Sequence, residues 1–299
     1  MPKLDNHAAG IFFMLLTGLF FVAVNVIVKH VGGDMPAPEA AFLRFVAGLV
    51  FLAPVFLRLF REPIPRRVLP WLGLRGLFHT LAVMSWFFAM ARIPLAEVTA
   101  IGYMSPVYVT IGAALFLGEK LAARRLIAVA FALIGVLIIL RPGFRELTLG
   151  HYAQLFAAFS FAVSFLFAKR LASEISPSAI IAILALVVTV GLAPFAAAVW
   201  VTPTLTQVLW LTLVAAFATA GHYTMARAFV LAPIGVTQPV TYLQIVWAVL
   251  LGMLLFDEPI DGWVLMGATV IIAAVSFISW REAQLNRQAI TPVDTATKV

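Results

Sequence analysis

The sequence predicts an all-α polytopic membrane protein, with ten transmembrane helices arranged as two inverted five-helix repeats and both termini cytoplasmic. Three observations predict it. The chain is 63% hydrophobic and only 11% charged, with a mean hydropathy of +1.06; a water-soluble domain of 299 residues would have no polar coat to present. Apolar runs of about 20 residues recur along the chain, each long enough to cross roughly 30 Å of hydrocarbon as a helix. One unusual stretch is also written twice, 139 residues apart and without a gap. Pro94-Leu95-Ala96 through Tyr103 to Leu117-Gly118-Glu119 is echoed by Pro233-Ile234-Gly235 through Tyr242 to Phe256-Asp257-Glu258. Further upstream, Phe21 and Lys29 recur as Phe161 and Lys169. A duplicated apolar unit of this size points to a transporter built from two related halves.

Charges, prolines and glycines divide the chain into spans near 8–30, 38–59, 69–92, 95–117, 121–140, 149–171, 177–200, 205–231, 234–256 and 260–281. The first apolar run, from Ala8 to Val28, exceeds the core of a cleaved signal and is expected to stay as a span. Only Arg92-Ile93-Pro94 separates the third span from the fourth, so that connection must be tight. The expected organisation is a first repeat over 1–143, a second over 144–282 and a mobile cytoplasmic tail over 283–299.

An even number of spans puts both termini on one side. With that side cytoplasmic, Lys29, Arg92, Arg141 and Arg145 fall outside and Arg44 lies within a span. The other 15 of the 20 Lys and Arg then fall inside, as the positive-inside rule requires. A five-span unit inverts on repetition, so Glu119 faces the cytoplasm beside Lys120, Arg124 and Arg125. Glu258 faces outward between Asp257 and Asp261, with no basic neighbour in sequence. Inverted halves can exchange conformations and give alternating access to a central site.

The chain has no cysteine, which excludes disulfides, thiolate metal sites and a cysteine nucleophile. The formal charge of +7 reads as topology, with no nucleic-acid partner. No His-Glu-x-x-His or Gly-x-Gly-Asp motif appears, and the polar groups are spread over many spans instead of converging as nucleophile and base. An intramembrane enzyme is therefore disfavoured, and no cofactor is implied. A receptor would not need inverted halves, and the chain has no extended loop to hold a partner.

Ala41-Phe42-Leu43-Arg44-Phe45, Tyr103-Met104-Ser105-Pro106, Leu117-Gly118-Glu119-Lys120 and Ile134-Gly135-Val136-Leu137-Ile138, with the repetition of this layout after residue 150, make the chain resemble the EamA-type exporters of the drug/metabolite transporter superfamily. Within that superfamily it looks most like the YddG-like exporters of aromatic amino acids. The resemblance implies a multi-pass protein of the cell membrane (the inner membrane in a bacterium) that exports small metabolites, here amino acids with aromatic or large apolar side chains. A facilitator or exchanger of nucleotide sugars or drugs is the alternative. The second half departs from the pattern, with Leu-Phe-Asp-Glu for Leu-Gly-Glu and no arginine matching Arg44.

Ionisable groups cost about 2.5–3.5 kcal/mol at a helix centre, so each needs a reason. Arg44 can clamp a substrate carboxylate through its guanidinium fork or tether backbone carbonyls; the resemblance, which makes it a family hallmark across unlike substrates, favours the tether. Arg75, His79 and Trp86 share a helical face. Arg75 is expected to meet headgroup phosphates, while His79 and Trp86 are expected to form cavity wall. Thr99, Tyr103 and Ser105 in the fourth span answer Gln238, Tyr242 and Gln244 in the ninth, and Pro106 and Pro239 can kink and gate those helices. Phe161, Ser164, His222 and Tyr223 complete the expected substrate wall, and Arg141, Arg145, Trp263 and Trp280 are expected to be interfacial anchors. Glu39 and Glu97, the only candidate coupling carboxylates, each begin a span and are expected to be interfacial, so transport is expected to be passive or weakly coupled. Ten spans can enclose a site alone, so the expected state is a monomer whose partners are a small molecule and the bilayer.

Overall fold

The computed structural model describes residues 4–59, 64–117, 123–232, 237 and 240–290. The first half supplies α1 (Leu4–Gly32), α2 (Ala37–Phe51), α3 (Ala53–Leu59), a short 3-10 turn (Arg66–Val68), α4 (Leu69–Met90), α5 (Leu95–Gly102), α6 (Ser105–Leu117) and α7 (Ala123–Leu140). The second supplies α8 (Leu149–Leu171), α9 (Pro177–Ala198), α10 (Leu205–Leu231), α11 (Gln244–Phe256) and α12 (Gly262–Ile290). Among the described residues the only extended pairing is one isolated bridge between Pro142 and Arg145.

Among the described residues, six stretches are long and apolar enough to cross a membrane: Ala8–Gly32, Arg66–Met90, Leu95–Phe116, Leu149–Leu171, Pro177–Ala198 and Leu205–Leu231. Leu126–Leu140, Gln244–Phe256 and Gly262–Phe277 are shorter apolar helices. The expected second span, 38–59, is delivered in two pieces, because the helix gives way at Leu52 ahead of Pro54. α12 continues through residues 283–290 as helix, and residues 291–299 of the expected tail lie outside the described residues.

Capping explains several helix starts. Thr204 and Gln207 bond reciprocally at the head of α10, with Thr204 N–H to Gln207 Oε1 at 2.9 Å and Gln207 N–H to Thr204 Oγ1 at 3.3 Å. Ser176 Oγ accepts from Ala179 N–H ahead of Pro177, and Pro tolerates the first helical position because its missing N–H would have had no partner there.

The fourth span breaks at Tyr103-Met104, where Pro106 has no N–H for the carbonyl of Gly102. The matching break in the second half falls at Tyr242-Leu243, although Ile245 stands where Pro106 would repeat. The interruption therefore belongs to the repeat position and does not depend on the proline.

The largest helix pairings are kept when the two halves are exchanged. α1 packs on α10 as α8 packs on α4, α2 on α10 as α9 on α4, and α6 on α8 as α11 on α1. The pairs α2–α9 and α7–α12 map onto themselves. Thr17 and Thr224 share a 2.8 Å hydrogen bond across α1 and α10, of a kind worth about 0.6 kcal/mol between membrane helices. The outer faces carry Phe116, Val190 and Val230, each at least 66% exposed, an apolar surface suited to lipid.

α7 and α12 meet backbone to backbone at Gly135 and Gly267. A Cβ on Gly135 would stand 2.8 Å from the Gly267 carbonyl oxygen, and one on Gly267 would stand 2.5 Å from that of Gly135. Small residues permit this approach, and with it the dispersion contact that holds helices together in lipid. Gly135→Leu or Gly267→Leu is expected to cost about 1–3 kcal/mol through overpacking. Thermal unfolding in detergent measures it, and an unchanged midpoint for both would refute the contact.

Candidate substrate-binding site

α2, α4, α8 and α10 bring four of the predicted polar and aromatic residues to the middle of the bundle. Arg44 lies over the Phe45 ring, with its guanidinium carbon 4.2 Å from the centroid. His79 stands edge-on to Phe161 at 5.2 Å and to Phe45 at 6.3 Å between ring centres. His222 stands edge-on to Phe21 at 5.2 Å. The broken helices contribute Tyr103 and Tyr242. Their rings meet edge-on at 5.3 Å, and the Tyr103 hydroxyl lies 3.5 Å from the Tyr242 carbonyl oxygen.

Other predicted residues have other work. Thr99 bonds the Leu95 carbonyl of its own helix at 2.8 Å, and Ser105 bonds the Ala158 carbonyl on α8 at 3.1 Å. Ser164, 1% exposed, stitches α8 to α4 through His79 Nδ1 and the Arg75 carbonyl, both at 3.3 Å. Gln244 packs at Gly18 of α1, and Trp86 packs half-buried against the core two turns from His79. Tyr223 is 65% exposed on the flank of α10 about 100° round from His222, so the structure does not bring it to the chamber. Pro106 sits in the first turn of α6, where its carbonyl accepts from Thr110 at 2.9 Å. Gln238 and Pro239 lie outside the described residues.

Three expectations are corrected. Arg75 does not reach toward headgroups: it is 7% exposed and donates to the Ile180 carbonyl at 2.8 Å. Glu39 and Glu97 begin α2 and α5 as placed, yet they are buried at 0% and 4% exposure instead of facing the interface. Glu39 accepts from Val201 N–H at 3.1 Å. Arg141 and Arg145 are not free anchors, for Arg141 pairs with Asp261 and Arg145 grips Glu97 in two bonds of 3.0 and 2.6 Å.

These groups belong to a charged cluster that closes one end of the bundle. Lys29 Nζ contacts Glu258 Oε1 at 2.7 Å and donates to the carbonyls of Ile93 at 2.9 Å and Met90 at 3.3 Å. Glu258 Oε2 accepts from Leu95 N–H at 2.8 Å, so Glu258 has a basic partner that adjacent sequence did not reveal. Asp257 turns left-handed at φ 52° to end α11, where the first half has the more permissive Gly118. Gly252 leaves room for the Glu258 carboxylate. Alongside, the Thr148 N–H donates to His151 Nδ1 at 3.0 Å, and His151 Nε2 lies 2.8 Å from Glu97 Oε2 and against the Arg145 guanidinium. The hydrogen bonds it donates to Glu97 push the Arg145 guanidinium above its ordinary range. Glu97, Arg145, Glu258 and Asp261 line a cavity of about 190 Å³. The repeats of Lys29 and Glu258 as Lys169 and Glu119 were the sequence signal for this closure. Among the described residues no cluster of His, Cys, Asp or Glu is arranged to hold a metal ion.

A bundle of apolar helices with Arg44, His79 and Phe161 grouped among aromatic rings and ion pairs joining its helices at one end is the architecture of a membrane transporter. The chain belongs to the EamA-like transporter family, whose model matches it twice, over residues 8–141 and 148–280. It is similar to a riboflavin transporter of Vibrio cholerae, 28% identical over 285 residues, 93% of this chain and 95% of the relative. It is also similar to an S-adenosylmethionine uptake transporter of Rickettsia bellii, 27% identical over 96% of this chain and 99% of the relative. A pseudopaline exporter of Pseudomonas aeruginosa is 30% identical over 46% of this chain and 49% of its own. A crystal structure 18% identical in sequence shares the fold, with a TM-score of 0.60 over 93% of this chain and 99% of the other. The protein is a multi-pass integral protein of the inner membrane, and these relatives are named as transporters, not enzymes.

Lys29 and Glu258, 12% and 13% exposed, are coupled through one short contact. Lys29→Met or Glu258→Gln alone is expected to cost about 3 kcal/mol, because each strands the other charge. The double substitution should cost clearly less than the sum of the two. A double-mutant cycle in thermal unfolding measures this, and strict additivity would show that the pair contributes nothing.

Proposed function

We propose that the protein is a secondary transporter for a small organic metabolite with a flat ring system and a carboxylate-bearing or acceptor-rich end. It works by alternating access to a chamber between two inverted five-helix halves, with ten spans and cytoplasmic termini. Arg44 carries this reading. Its guanidinium lies inside the bundle, and among the described residues no carboxylate pairs with it. A membrane-buried cation without a countercharge is costly, so a ligand that supplies acceptors or negative charge explains its retention. The neighbouring Phe45, Phe161 and Phe21 offer ring edges and faces to the rest of such a molecule.

The relatives named for riboflavin and S-adenosylmethionine favour this class, since both compounds join a flat heteroaromatic ring to a polar chain. Aromatic amino acids fit the same description, although no relative described above is named for them. The exchange of helix pairings between halves supports an inverted repeat. It also casts Lys29–Glu258 as the closure of one end; Glu119, the repeat of Glu258, lies outside the described residues. Tyr103 and Tyr242, at the two helix breaks, stand where the halves would move past each other.

The test is counterflow into vesicles containing the purified protein, with riboflavin, S-adenosylmethionine, tryptophan and phenylalanine as labelled substrates. At least one is expected to exchange. Arg44→Ala should lower that exchange about 30-fold or more, the worth of a charge-assisted hydrogen bond of roughly 2–3 kcal/mol. Arg44→Lys should recover it only in part, because an ammonium cannot reproduce the planar fork. Silence across the panel, with a nucleotide sugar or a drug exchanging instead, would overturn the substrate class.

A further inference from the structure

We infer that His79 is the specificity-determining acceptor of the chamber, and that the transported ring carries an N–H aimed at its Nε2. This rests on the substrate reading above. The inference comes from counting hydrogens around Ser164. A backbone carbonyl only accepts, so the 3.3 Å contact between Ser164 Oγ and the Arg75 carbonyl is a hydrogen bond only if the hydroxyl donates. That uses the single hydroxyl hydrogen. The 3.3 Å contact between Ser164 Oγ and His79 Nδ1 is then a hydrogen bond only if the ring donates from Nδ1. The opposite assignment would leave two buried oxygens facing each other with no hydrogen between them.

The parts of this chain of bonds are held in place. Arg75 and His79 are one turn apart on α4, and the Arg75 side chain is moored to α9 by its bond to Ile180. Phe161 and Phe45 meet the imidazole at interplanar angles of 74° and 88°, fixing the plane of the ring. Arg44 lies over Phe45, the ring that meets the imidazole edge-on, Arg75 stands one turn away on α4, and among the described residues no carboxylate pairs with the imidazole. A third positive charge would have no counter-anion, so the imidazole is neutral and Nε2 keeps a lone pair. No protein donor among the described residues meets Nε2. His151 differs: the Thr148 N–H donates to its Nδ1, and its Nε2 lies against both Glu97 Oε2 and the Arg145 guanidinium.

The chamber then presents donors from Arg44, an acceptor from His79 and aromatic edges between them. A ring N–H satisfies that acceptor. An N-methyl group at the same place cannot, and it leaves Nε2 buried without a partner.

Two measurements on the full chain in nanodiscs test this. With ¹⁵N-labelled histidine, and His79 assigned by its loss in His79→Gln, the His79 resonances should show the hydrogen on Nδ1, and Ser164→Ala should mix the tautomers. A wild-type His79 with its hydrogen on Nε2, or a doubly protonated ring, overturns the inference without reference to any ligand. The second measurement is binding of matched pairs: riboflavin against 3-methylriboflavin and tryptophan against 1-methyltryptophan. For a parent that binds, methylation should weaken binding at least about tenfold. His79→Ala should erase the difference, while His79→Gln, whose carbonyl can occupy the place of Nε2, should retain it. Equal binding within a pair overturns the inference and leaves the transporter reading standing. No binding by any parent, with the Nδ1 tautomer present, overturns the substrate class instead, and the ring donor falls with it.

Discussion

The ammonium of Lys29 is held by one carboxylate and two backbone carbonyls at the end of the bundle. Those acceptors come from three places: the α11–α12 linker, the last turn of α4 and the turn before α5. Hydrocarbon offers a polar group nothing, so a charge at this depth persists only where the protein itself completes its coordination. The closure in turn fixes the start of α5 through the bond from Leu95 N–H to Glu258, and α5 ends at the break that carries Tyr103. From Lys29 inward, Asn25 and Phe21 follow at helical spacing on α1, and Phe21 meets His222. One face of one helix therefore runs from the end closure to the centre of the chamber.

The same constraint separates what the sequence made legible from what it hid. Hydrophobic runs, helix starts at Pro, Ser and Thr, and the family were legible because hydrocarbon enforces them over many residues at once. Arg44, His79, Phe161 and His222 were legible as rare polar or repeated residues, and the structure brings them together. Tyr223 follows His222 in sequence, yet neighbours on a helix point about 100° apart. Arg75 was assigned to lipid from its place near a span end, because its partner, the Ile180 carbonyl, is backbone and leaves no mark in sequence. Glu97 seemed interfacial for a similar reason. Its partners Arg145 and His151 arrive from the next loop and helix, and only the fold shows that they converge.

The ion-pair cluster could have been found earlier. Lys29 recurs as Lys169, and Glu258 recurs from Glu119, so both partners of the best-coordinated pair were already known to repeat. Two residues that repeat together, with opposite charge at span ends, are candidates to touch. Adjacent sequence gave Glu258 no cation because the contact spans most of the chain, from α1 to the linker after α11.

The duplication accounts for the scaffold and stops short of the chemistry. Helix pairings, the breaks at Tyr103 and Tyr242 and the glutamates that end the spans all recur. Arg44, His79 and His222 do not, since their repeat positions hold Leu184, Ala218 or Thr219, and Ala82 or Val83. A small metabolite has no two-fold symmetry, so a chamber that binds it in one orientation must break the symmetry of the helices around it. The closures are unequal as well. Gly252 makes room for the Glu258 carboxylate, while the matching position in the first half is Ala113, whose methyl would occupy that space. The symmetry of the helices is thus broken at this span end as it is around Arg44, His79 and His222.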